Sequence, residues 1–244
     1  MNERPTPEPS PPAARVTPVT SLDDPRALQI LSTEHWSLLT NRSLAYNEAF
    51  TRGGMFLTFL SMSFVALALL AQAMSFGEHF LTVAAVVLAF DLVIGLTTYG
   101  RINGANADDL RAVHGMARIR HGYTQIAPIV APYFTAPTHD DIESVLGIYG
   151  STGGSTLEQI GYGLTTSGGM IGLIVSMVGG VLAAVVGLLI GVPGGSAIWI
   201  GLGGGIVLMV LLVMLTFSAI TRHQAKLAAR FPAPVELPPA DPDA

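Results

Sequence analysis

The chain has 244 residues, half of them hydrophobic, with charged residues at only 12% and a mean hydropathy of +0.53. Soluble proteins carry about 25% charged residues, and here the apolar residues cluster into long runs that a soluble core does not need. The net charge of −5 lies mostly in tails and loops and leaves no nucleic-acid footprint, and the absence of cysteine excludes disulfides and thiolate sites.

Residues 1–22 hold a series of prolines from Pro5 to Pro18 and no apolar core, so they read as a disordered tail rather than a signal peptide. Residues 222–244 read as a second tail, also proline-rich. The preference for arginine over lysine, with abundant Ala, Gly and Pro, suits a bacterial gene of high GC content.

Asp24-Pro25 is a helix start, an acidic N-cap followed by proline at the first helical position. Leu28, Leu31, His35, Leu39, Tyr46 and Phe50 then recur at helical spacing, so 24–52 is expected to be a helix running nearly continuously into the first apolar run. Two readings of it stand: packing against other helices, or lying flat at an interface with Trp36 and Tyr46 at headgroup level.

A membrane helix needs about 20 apolar residues to cross about 30 Å of hydrocarbon. Four segments qualify, at 53–76, 80–100, 169–192 and 197–221. The expected fold is therefore an all-α membrane protein with four transmembrane helices in two hairpins, 53–100 and 169–221, plus two cytoplasmic helices and disordered Pro-rich tails. Pro193-Gly194-Gly195 is expected to turn the second hairpin. All twelve Lys and Arg fall before the first span, between the second and third, or after the fourth. The positive-inside bias then places both termini and segment 101–168 in the cytoplasm, with the spans in the inner (plasma) membrane.

Within segment 101–168, a helix over 106–127 is expected to start at Asn106, with Asp109 approximating a capping box, and to stop before Pro128. Arg111, His114, Arg118 and His121 follow one face at steps of three and four. They form either a solvated face or a site for an anion or an acidic lipid headgroup. His139-Asp140-Asp141-Ile142-Glu143 lacks calcium-loop spacing and reads as solvated acids at a helix start. Gly150–Ser155 has no Gly-Lys-Ser/Thr and reads as a link rather than a phosphate loop. No metal site and no cofactor are expected.

Asp91 is the one ionisable residue deep in a span, where an aspartate is unfavourable by about 3 kcal/mol unless it faces protein or water. Ser61 and Ser176 lie at similar depth on the first and third spans and are its expected partners. Asp91 is then either a packing residue held by a serine or part of a proton- or cation-linked path. Gly172 and Gly180, with Gly187 beside them, and Gly201 and Gly205 on the fourth span are spaced for close backbone approach. They pack span three on span four, or one subunit on another in a homo-oligomer.

In its order of elements the chain is similar to small bacterial pore-forming effectors, a resemblance of architecture alone that transfers no residue. An oligomeric channel is the first functional expectation. A non-catalytic scaffold, holding unidentified protein partners through its cytoplasmic helices, is the alternative. No nucleophile–base pair is visible, so no enzymatic activity is expected.

Overall fold

The computed structural model describes residues 18–74, 76–149, 166–224 and 228–234. Among them every regular element is helical: α1 (Pro25–Met74), α2 (Glu78–Ile126), a 3-10 turn (Pro128–Tyr133), α3 (Ile142–Gly147), α4 (Ser167–Leu189) and α5 (Gly194–Gln224). α1, α2, α4 and α5 are each long and apolar enough to cross a membrane. The two proline-rich tails lie largely outside the described residues, as does the 150–155 link.

α1 starts where Asp24 accepts the Arg26 amide at 2.9 Å and then runs without a break for 50 residues. α2 runs for 49 residues, so the helix start expected at Asn106 does not exist. Leu96 to Gln125 contains no proline, and its four glycines are spread singly, so nothing in the chain interrupts the helical ladder there. Both helices are about 75 Å long, far more than a bilayer core needs.

Antiparallel pairing of α1 and α2 is fixed by contacts at three heights. Arg101 donates to Glu48 at 3.1 and 2.5 Å, Ser63 Oγ donates to Asp91, and Leu38 lies over Gly115. The seam has a heptad period. Buried positions on α2 run from Ala84 through Leu88, Asp91, Gly95, Thr98 and Ile102 to Ile119 at alternating steps of four and three. Ala49, Gly53, Phe56, Leu60, Ser63 and Leu67 answer them on α1. That period keeps one stripe of each helix facing the other along a left-handed pair.

α4 packs against α2, and α5 against α4. The Tyr99 hydroxyl donates to Leu212 O at 3.1 Å and meets Thr216 Oγ1 at 2.6 Å, setting the end of α5 level with the end of the apolar part of α2. The four apolar segments therefore lie side by side at one height. Beyond them, Leu110, Val113, Met116 and Val145 form a second small core with Leu38 and Tyr149, seating α3 on the projecting part of the α1–α2 pair.

The turn between α4 and α5 lies earlier than Pro193-Gly194-Gly195. Gly191 takes φ +88, and Val192 N donates back to Gly187 O at 2.9 Å, closing α4 with a left-handed cap. Gly194 and Gly195 already belong to α5.

Candidate functional site

Asp91 is fully buried on the α2 seam. Ser63 donates to its Oδ1 at 2.9 Å, and its Oδ2 has no partner. The expected partners are elsewhere. Ser61 is exposed on the outer side of α1 and donates to its own helix at Leu57 O, 2.8 Å. Ser176 is buried on α4 but bonds Gly172 O at 2.7 Å and lies 3.6 Å from Met209 Sδ. Depth brought Ser61 into consideration, but two residues along a helix turn the side chain by about 200° while moving it only about 3 Å. Azimuth, not depth, selects the partner. The four-three recurrence Phe56, Leu60, Ser63, Leu67 is the signal that picks out Ser63.

The small residues of α4 and α5 meet at the contact between those helices. A methyl group placed on Gly180 would sit 2.6 Å from Gly201 O and 3.2 Å from Gly205 Cα, both backbone atoms. One on Gly205 would lie 3.0 Å from Ser176 O. Gly172 instead accommodates the Tyr99 ring from α2, and Gly187 has only ordinary contacts, the nearest at 3.8 Å. Gly95, which shares a helical face with Asp91, carries a tight three-helix junction: an added methyl would meet Val175 Cγ2 at 2.8 Å and Phe56 Cζ at 2.9 Å.

In the projecting part, two buried carboxylates organise the structure. Asp109 is 1% exposed; Arg42 Nε donates to its Oδ1, and the Tyr149 hydroxyl donates to its Oδ2. Burial, reinforced by Asp109, pushes the Tyr149 hydroxyl well above the usual phenol range. Asp109 thus joins α1, α2 and the segment after α3 instead of capping a helix start.

Asp140 was expected in solvent and is fully buried. Its Oδ2 accepts Arg118 Nε at 2.6 Å and the Arg230 amide at 2.9 Å, while Oδ1 accepts the Phe231 amide at 2.6 Å. Burial alone would raise its pKa, but these amides and the Arg118 guanidinium outweigh it and hold it at about 2. Asp141 caps α3 through the Ser144 amide at 2.9 Å and accepts the Ala233 amide at 3.0 Å. Residues 228–234, expected to lie in a disordered tail, are therefore docked.

The expected anion stripe divides on the same grounds. Arg111 is exposed and pairs with Asp108 at 2.6 Å. His114 is buried, with both ring nitrogens unpartnered. Arg118 is taken up by Asp140 and by Ala228 O at 2.7 Å. His121 stacks on Phe231 with centroids 4.3 Å apart and planes at 16°. The chain's own carboxylate and C-terminal segment fill the place an external anion would take. No protein-family model, curated protein or solved structure matches this chain.

Proposed function

We propose that the chain is a non-catalytic, oligomeric channel or pore-like protein of the inner membrane, with Asp91 in a polar intramembrane path and both termini cytoplasmic. The observation that carries this reading is Asp91 itself, buried in an apolar segment with Oδ2 unpartnered. In such surroundings a carboxyl group persists as its neutral acid or beside a cation, and packing alone does not need one. A serine hydroxyl satisfies one oxygen and leaves the other to a proton or a cation. Gly54, Thr58, Ser61 and Gln72 add a stripe of small and polar side chains on α1 that no other described helix covers, a surface suited to a second subunit.

The test is ion flux in proteoliposomes as a function of pH. The native protein should conduct in a pH-dependent way, and Asp91→Asn should lose the pH dependence while eluting at the native particle size. Unchanged flux in Asp91→Asn would remove Asp91 from the path.

A second reading, a scaffold, is favoured by a different observation. Leu28, Ile30, Trp36, Leu44 and Phe50 are exposed on the part of α1 that precedes its apolar segment. Absence of flux together with stoichiometric co-purifying protein would favour it over the channel.

A further inference from the structure

The carboxylate that holds the C-terminal segment also faces a group that the channel reading does not use. His114 is 3% exposed, and neither ring nitrogen has a hydrogen-bond partner. Its Nε2 lies 3.6 Å from Asp140 Oδ2, the oxygen that also accepts from Arg118 and from the Arg230 amide. A buried imidazole without a partner is tolerated only while neutral. Once protonated it needs either water or a share of Asp140 Oδ2, which already accepts from Arg118 and from the Arg230 amide.

We propose that residues 228–234 are a proton-releasable latch, clasped by Asp140 and Asp141 and opened when His114 takes up a proton. Clasping is by backbone recognition: the Arg230, Phe231 and Ala233 amides all donate to the two carboxylates, and Asp140 N returns a bond to Phe231 O at 3.2 Å. The proton goes to a ring nitrogen of His114, and the new cation then competes with the Arg230 amide for Oδ2.

The groups around His114 set the sign. The charged groups acting on it are Arg118 on its own helix and Asp140 before α3, and α1 faces this turn of α2 with Leu38, over Gly115. Burial and then Arg118 lower the imidazole from its ordinary value of 6.5, and Asp140 only partly opposes them. A group depressed in the closed state favours closure above its ordinary value. That contribution is lost as pH falls below about 6.5 toward the depressed value, about tenfold in the closed-to-open ratio for each unit of depression. Asp140, held at about 2, loses its own contribution only below the carboxylate range and does not act in this window.

The chain has no cysteine, so spin labels can be placed cleanly at Gln125→Cys on α2 and Pro234→Cys on the latch. Distances would be measured on the full chain, diluted with unlabelled protein, at pH 8 and pH 5. A single short distance at pH 8 that gives way to a broad, longer distribution at pH 5 supports the latch. The same distribution at both values overturns it. His114→Gln should stay closed at both pH values, while His35→Gln and His139→Gln keep the native response. Loss of the response in either of those two, with His114→Gln still responding, would also overturn the proposal. Asp140→Asn should be open throughout, and a closed Asp140→Asn would show that the carboxylate is not the clasp.

Discussion

At the scale of single residues, the strongest constraints are atoms that have no room or no second partner. Gly180 touches backbone on α5, which cannot move aside as a side-chain tip can. Gly180→Ala is therefore expected to destabilise the α4–α5 pair by about 1–3 kcal/mol, the usual cost of overpacking. Gly187→Ala, with nothing nearer than 3.8 Å, should be indistinguishable from native. Thermal unfolding of the two variants in the same detergent checks the contrast. Arg42 and Asp109 provide a different case. Arg42→Met leaves a buried carboxylate facing only the hydroxyls of Tyr149 and Tyr46, an expected loss of about 3 kcal/mol, at the low end for buried pairs because the Arg42 side chain is 30% exposed. Adding Asp109→Leu removes the stranded charge and should recover most of that loss in chemical unfolding. A double variant no better than the single one would mean the carboxylate is not what suffers.

At the scale of elements, α1 and α2 act as one object. Within the apolar slab, lipid offers side chains the same environment as protein does, so helices associate there through close packing and hydrogen bonds rather than by the hydrophobic effect. Gly95 is the position where this matters most for α2, because Phe56 and Val175 close on it from two helices. Gly95→Leu should therefore separate α1, α2 and α4 and lower the thermal midpoint more than Gly115→Ala, where the contact is a flexible Leu38 tip. Outside the slab the drive reverts to apolar burial, through Leu110, Val113, Met116 and Val145. The distinction explains why α2 carries the same heptad seam throughout yet changes its chemistry along it. It holds small residues and Asp91 in one half, and larger aliphatic residues with paired charges in the other.

At the scale of the whole molecule, the four apolar segments are level, while α1 extends beyond them by residues 25–52, about 40 Å of helix. Electron microscopy of the detergent-extracted particle should show a stalk of that height on one side of the belt. Two flat faces would be incompatible with continuous α1 and α2. The same images report subunit number and symmetry, on which the channel and scaffold readings diverge.

The sequence by itself determined the helical character of the chain and its four apolar segments. These properties depend on composition along the chain, and a run of about 20 uncharged residues has few other uses. It also marked Asp91 and the small residues near Gly180, because a charge in an apolar run and a repeat of four are visible without coordinates. It did not determine what any of them touch. Ser63 rather than Ser61 holds Asp91, Asp140 is buried instead of solvated, and Arg118 faces the chain's own C-terminal segment. Each of these depends on azimuth around a helix or on residues about 90 positions apart meeting in space. A three-dimensional packing decides such contacts because hydrogen bonds and buried charges are selected by geometry over a few tenths of an ångström. Spacing along the chain resolves position only to a turn of helix.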